Sequence, residues 1–489
     1  MFLYVEKKRN SISKMAKTFN RCSIFILLSF LFLWTSSVSA ATINAQSCSI
    51  DHVTYAVNSA VSGDTVNVPA GNCTWSSLIS TNKAITVQGA GIGQTIINGE
   101  GFNLSNSQGT RITGFTFMPS AGKYVIRIDN GGKFRLDNSN LYGATTNHIA
   151  IYGYGIVSKK LTGLIHNCDM TRIRIVYYGS AGDAILNGNQ RWSESSVLGT
   201  GDTLVIEDNI FRGTTPATHE QIIDTNWGGN YTFRFNTLIN IYAEVHANLG
   251  NIRGGRTWEI YKNNISNAND YVSWYAMSIR AGSGVIWDNT VTGKWDGRVI
   301  RFDNRRSYDT QYVTSICNGS QAIDGNLDST GWPCRDQIGT STDQWLWTSS
   351  NPNPPQLRSP AYVWNNTYGG VVWESHIDSS SAQHIKKNRD VFEQVSSFNG
   401  TSGVGRGTLA SRPSTCTTGV GYWATDQGNW NKSGSGGQGI LYKCTNTNKW
   451  ELYYTPYEYP HPLRNGSIYN PPPESDDLTP PKIKNIEPM

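Results

Sequence analysis

TLVIEDNIFRG (203–213), YTFRFNTLINI (231–241), TWEIYKNNISN (257–267) and GVIWDNTVTG (284–293) are one phrase written four times. Each is a short β-branched or aromatic run ending at an asparagine: Asn209, Asn236, Asn263 and Asn289. These asparagines recur at intervals of 27, 27 and 26 residues. A period of that size marks stacked supersecondary units. Side chains alternate from side to side, so that residues two apart such as Val205 and Glu207, or Phe233 and Phe235, share a side, which is the strand period. No apolar pattern of helical length interrupts them. One such unit per coil gives an all-β solenoid, a parallel β-helix, in which each strand pairs with its counterpart one coil away. Asparagines at one place in successive coils can then form a hydrogen-bonded ladder, so they are assigned to the scaffold.

The chain has 489 residues, which by length alone suggests about three domains. A solenoid grows along one axis and accommodates that length in a single domain. The 49 glycines and only 16% charged residues suit a turn-rich β protein. Residues 1–40 read as a signal peptide. Lys7, Lys8, Arg9, Lys14, Lys17 and Arg21 precede the apolar run Ile24 to Trp34, and Val38-Ser39-Ala40 offers a cleavage site. The chain's net charge of +5 resides in that segment, so the remainder is near neutral. That gives no reason to expect nucleic acid or an anionic membrane as partner. The expected location is extracellular, periplasmic or cell-surface, with no integral membrane segment once the signal is removed.

Of eight cysteines, seven follow the signal. Proximity pairs Cys48 with Cys73, Cys317 with Cys334 and Cys416 with Cys444, and export permits those disulfides. Cys168 is left free inside a coil. No Cys/His spacing suggests zinc.

Taken in order, residues 51–61 carry Val53, Ala56, Val57, Ala60 and Val61 at helical spacing, which predicts a short capping helix. The helix reads as N-terminal cover for a β-helix over 41–410. Loop insertions are expected at 177–200 and 305–360, where the pattern breaks. Residues 411–466 form an aromatic, disulfide-bearing C-terminal cap. Its rings are read as a packed core rather than a sugar platform. Residues 467–489 are a linker or tail.

A β-helix buries its interior, so function must lie on an outer face. Besides the asparagine phrase, each central repeat holds another strand: IIDTN (222–226), AEVHAN (243–248), MSIRAG (277–282) and VIRFDN (299–304). These place Asp224, Glu244 or His246, Arg280, and Arg301 with Asp303 in approximate register, acids toward one end and cations toward the other. Arg253 and Arg256 lie next to His246 in sequence. Such a strip suits an acidic polysaccharide. In β-elimination a base removes the proton α to a uronate carboxylate while a cation neutralises that carboxylate. The expected catalytic set is His246, Arg280, Arg301 and Asp224. His246 titrates near neutrality, and the arginines can hold a carboxylate bidentately. Arg253, Arg256, Glu244 and Trp227 are expected to contact substrate. Asp224, Glu244 and Asp303 are candidate oxygen ligands for Ca²⁺. Two of these carboxylates could instead be the acid and base of a glycoside hydrolase.

Two resemblances accompany this reading. The helix followed by GDTVNVPAGNCTW (63–75) resembles the N-terminal cap and first coil of secreted right-handed β-helix proteins of the pectate-lyase type, which implies a right-handed coil. EQIIDTNWGGNYTFRFNTLINI (220–241) with VHANLGN (245–251) is similar in cadence to the alginate lyase/chondroitinase B family of β-helix lyases. Thr232-Phe233-Arg234-Phe235-Asn236-Thr237 matches that family's middle strand, and Val245-His246 partly matches its last. The family's catalytic lysine is not matched; Trp227 or its neighbours stand there. The resemblance therefore implies fold and groove, not that family's base. A polysaccharide lyase comes first, a hydrolase second, and a non-catalytic glycan-binding or adhesion protein is the alternative.

Overall fold

The computed structural model describes residues 40–156, 159–179, 191–192, 194, 196–213, 220–245, 254–267, 274–303, 337–342, 356–379, 381–382 and 385–464. The signal peptide, His246, Arg253 and the Cys317–Cys334 pairing fall outside those residues.

The described chain is a right-handed parallel β-helix of three faces. The first face is a sheet of twelve described strands, from Thr42–Asn44 to Val391–Glu393. The second has eleven, from Gly71–Trp75 to Val371–Val372. The third has six, from Ile79–Ser80 to Ile223–Asn226, and four more from Ala243–Val245 to His376–Ile377. A parallel bridge between Gln221 and Tyr242 joins its two parts. Inward residues such as Ile206, Phe233, Ile260 and Ile286 form one continuous core.

The corner between first and second faces explains the repeating asparagines. Asn209, Asn236, Asn263 and Asn289 are buried, and each donates from Nδ2 to the next Oδ1 at 3.0, 3.1, 2.9 and 2.8 Å, the last to Asn366. Each Oδ1 also accepts the preceding rung's backbone N–H. Cys168 occupies the earlier rung, its N–H donating to Asn209 Oδ1 at 3.1 Å, and its thiol is free and buried. The residue before each rung must turn the chain in the left-handed region: Asp208, Phe235, Lys262, Asp288 and Asn365 lie at φ of 55°, 55°, 54°, 52° and 53°. That conformation costs most residues about 1 kcal/mol or more. Asn366 escaped the sequence count because the long insertion separates it from Asn289 by 77 residues.

The capping helix α1 spans Ile50–Ser59 and buries Val53, Ala56 and Val57. Val61 lies beyond it and is exposed, so the helical pattern ran two positions too far. Cys48 is joined to Cys73, and Cys416 to Cys444.

The C-terminal module, built on Val404–Gly407, Gly421–Ala424, Ile440–Asn446 and Lys449–Tyr454, turns back over the outside of the first face. Outward rings Tyr261, Trp287 and Trp364 stack in register, at 4.4 and 5.6 Å between neighbours, and join Trp423, Trp430 and Tyr454 in a second buried cluster. The chain then runs back across earlier coils as a strap. Arg234 donates to the carbonyls of Tyr457 (2.6 Å) and Glu458 (2.7 Å), Glu207 accepts from His461 N–H (2.9 Å), and Arg135 reaches the carbonyl of Leu463. The first face over these coils is therefore occupied by the protein itself.

Candidate functional site on the third face

The four strands read from sequence fold as expected: Ile223–Asn226, Ala243–Val245, Met277–Ile279 and Ile300–Phe302, all on the third face. Their finer arrangement differs from the sequence reading. Glu244, Ser278, Arg301 and His376 share one register line. Arg280 lies two residues beyond Ser278, past the end of the strand.

Acids and cations are interleaved, not sorted to opposite ends. Arg174 is paired with Asp224. Arg280 Nη2 lies 2.5 Å from Glu244 Oε1. Arg301 Nη2 lies 3.0 Å from Asp303 and 2.9 Å from Asp378, while Ser381 Oγ donates to Asp303 at 2.8 Å. The Gln221 amide, oriented to accept from Arg174 Nε at 2.8 Å, gives its nitrogen to Glu244 and so links the first two pairs. Alternation is the stable solution in a partly desolvated strip, because a row of like charges spaced by one coil, about 4.8 Å, would repel.

The arginines carry the cluster's electrostatics. Burial, the largest single influence, opposes the charge on Arg280, but Glu244 together with Tyr275 and Tyr242 outweighs it and the guanidinium is held above its ordinary pKa. Asp303 and Asp378 do the same for Arg301, whose guanidinium also lies 5.4 Å from the Tyr275 ring. Not all hydrogen-bonding capacity is spent: Ser278 Oγ, Arg280 Nε and Trp227 Nε1 are buried atoms without a hydrogen-bond partner. Buried polar atoms in that condition are exceptional.

Toward the N-terminal end the same face carries aromatic rings. Tyr124 and Tyr152 are 5.7 Å apart, Tyr152 and Tyr178 5.9 Å, and Tyr178 and Trp227 4.8 Å. Tyr154 meets Tyr152 at 6.2 Å. Strand alternation puts Ile173, Ile175 and Tyr177 inward and Arg174 and Tyr178 outward. Burial, with the charge of Asp224 adding to it, pushes the Tyr178 phenol up to about 12.

Two expectations need correction. Arg256 does not face a ligand. It is buried and donates to the carbonyls of Arg191 (2.7 Å) and Glu194, tying down the described part of the 177–200 insertion, and burial pulls it down to about 10. The proposed calcium set is not assembled either. Asp224, Glu244 and Asp303 each hold an arginine, and among the described residues no three His, Cys, Asp or Glu side chains group to hold a cation. The structure brings together Asp224, Glu244, Arg280, Arg301 and Asp303, with Trp227 at the edge. Sequence reading missed Arg174, Gln221, Ser278 and Asp378. Alternation in IRIVYY (173–178) could have found Arg174, whereas Asp378 lies beyond the long insertion.

No protein-family model matches the chain, and no curated protein does. Among solved structures it is similar to a PL6 family polysaccharide lyase from Pseudopedobacter saltans, with 13% identity, 68% of this chain and 77% of that one covered, and a TM-score of 0.38. It is also similar to a PL6 alginate lyase in complex with a trisaccharide, with 11% identity, 75% and 82% covered, and a TM-score of 0.35. The similarity is partial, and at these values it bears on neither substrate nor mechanism. Among the described residues no helix is long and apolar enough to cross a membrane.

Proposed function

We propose that this is an exported protein that holds an acidic polysaccharide along its third face and cleaves it by β-elimination. The observation that carries the reading is the interleaved cluster of Arg174, Asp224, Glu244, Arg280 and Arg301, in which every arginine is paired and Arg280 Nε is an unspent donor. A uronate carboxylate entering there would accept from Arg280 and Arg301, each exchanging part of an existing ion pair for a bidentate one. Neutralising that carboxylate acidifies the proton α to it. Removal of that proton breaks C–H, forms C=C and breaks the C–O bond to the glycosidic oxygen, which leaves as a hydroxyl after taking a proton from solvent water. His246 follows directly on the strand bearing Glu244 and is assigned as the proton acceptor.

A non-catalytic glycan-binding protein is the second reading, favoured by the pairing of Asp224, Glu244 and Asp303 with arginines. Incubation with a panel of uronans and neutral glycans separates the two. Ultraviolet absorbance from unsaturated sugar ends is the expected result. New reducing ends without it would make the protein a hydrolase. Retention of a uronan with neither product would leave only binding.

A further inference from the structure

We infer that the outward rings of Tyr124, Tyr152, Tyr154, Tyr178 and Trp227 form a second binding site, a stacking platform for consecutive pyranose units on the N-terminal side of the charged cluster. The inference rests on the polysaccharide reading above and adds which part of the chain is gripped and by what chemistry.

Tyr152, Tyr154 and Tyr178 lie on successive strands of the third face, with Tyr124 just before the strand on one side and Trp227 just after the strand on the other. Ile126–Ile128 pairs with His148–Tyr154, which pairs with Ile173–Tyr178, which pairs with Ile223–Asn226. The row therefore crosses three inter-coil steps, roughly 14 Å at about 4.8 Å each. Aromatic stacking between coils can be purely structural, and the first face supplies the comparison. There Tyr261, Trp287 and Trp364 are 0%, 0% and 1% exposed and belong to a buried cluster beneath the C-terminal module. The third-face rings are all half-buried and belong to neither buried cluster. They meet one another edge-on or tilted, not in a closed stack like Trp287 on Trp364.

An aromatic face that stays open in water favours an amphipathic partner with an apolar C–H surface and polar edges, which is a pyranose ring. Polar groups for those edges stand beside the rings. Arg127 lies 5.6 Å from the Tyr124 ring and 2.9 Å from Asp129, and Trp227 Nε1 is an unspent donor. The platform is continuous with the cluster, because Tyr178 and Asp224 lie on paired strands. One glycan chain therefore crosses both, with stacked units at one end and the carboxylate-bearing unit at the other.

The test uses the purified protein and oligogalacturonate and oligo-alginate series of two to eight units, with neutral cello-oligosaccharides alongside. Affinity is measured by calorimetry and products by absorbance. For wild type, affinity should rise with chain length over several units and then level. Tyr152→Ala should lower affinity for the long members about five- to tenfold, leave the disaccharide unchanged, and keep the melting temperature. Tyr152→Phe should retain wild-type affinity, since the ring and not the hydroxyl does the stacking. Equal affinity of Tyr152→Ala and wild type for long oligomers overturns the platform while leaving the polysaccharide reading intact. Length-dependent binding lost in Tyr152→Ala, with no product from any chain, supports the platform and sinks the lyase. Failure of wild type to bind any series overturns both.

Discussion

Arg234 ties the C-terminal strap to the β-helix together with Glu207 and Arg135, and removing it should loosen the two from each other. Its side chain is fully buried. It donates to Glu207 Oε2 at 2.8 and 2.6 Å, to Tyr261 Oη at 2.9 Å, and to the carbonyls of Tyr457 and Glu458. Arg234→Met keeps the apolar stem and deletes these donors. Breaking a buried ion pair from one side costs about 3–5 kcal/mol, because the remaining charge stays desolvated. Glu207 keeps the His461 N–H at 2.9 Å and Arg464 at 3.3 Å, which places the expected loss near the low end, about 3 kcal/mol. Guanidinium unfolding followed by tryptophan fluorescence reads the outcome, since Trp287, Trp364, Trp423 and Trp430 lie in the cluster that the module closes. Far-ultraviolet circular dichroism follows the coils independently. The double variant Glu207→Leu/Arg234→Met should lose less than the two single variants together, because no orphan charge remains. Glycan retention should be unaffected, as the strap lies on another face. A loss under about 1 kcal/mol in Arg234→Met would show that solvent or rearrangement replaces those bonds and that the strap is not held as described.

Asn263→Ala should destabilise by about 2–4 kcal/mol in the same assay, because it strands the buried N–H and Nδ2 donors of Asn236, now at 2.9 and 3.1 Å from Asn263 Oδ1; a neutral result would mean that the ladder is ornamental. Stability should fall as pH drops from about 6.5 toward 4. Burial lowers His166 and His461 to about 4 in the folded protein, whereas the unfolded chain takes up those protons near 6.5. Each histidine contributes a slope of at most about 1.4 kcal/mol per pH unit in that window, and His166→Asn should flatten the midpoint-versus-pH curve there. Arg280→Met should abolish uronan cleavage and raise KM for any residual activity, with Glu244→Gln affecting the same substrate less. Unchanged kinetics in Arg280→Met would remove the third-face cluster from the mechanism.

The solenoid was legible from residue pattern alone. Four asparagines at a near-constant interval, strand alternation between them, and a short amphipathic helix before the first coil suffice, because a repeat that cannot bury its apolar side alone must stack on its own copies. The same regularity revealed the third-face strands, and proximity in sequence the Cys48–Cys73 and Cys416–Cys444 pairs. The residues between repeats were harder to read. Glu244 and Arg280 were both legible as candidates, but their pairing was not. Nor was the way that Gln221 and Arg174, drawn from different coils, complete the chain of charges. Ser278 drew no notice, although it stands between Glu244 and Arg301 in register. Asp378 and Asn366 were hidden by an insertion that changes sequence distance and leaves coil geometry untouched. Which face stays open depends on where distant segments come to lie. The aromatic run 423–457 reads in sequence as a packed core, and its return over Tyr261, Trp287 and Trp364 shows that this core closes the first face. Local pattern fixes which way a side chain points from its strand. What it then meets depends on segments hundreds of residues away, as Arg234 and Glu458 show, 224 positions apart and 2.7 Å in contact.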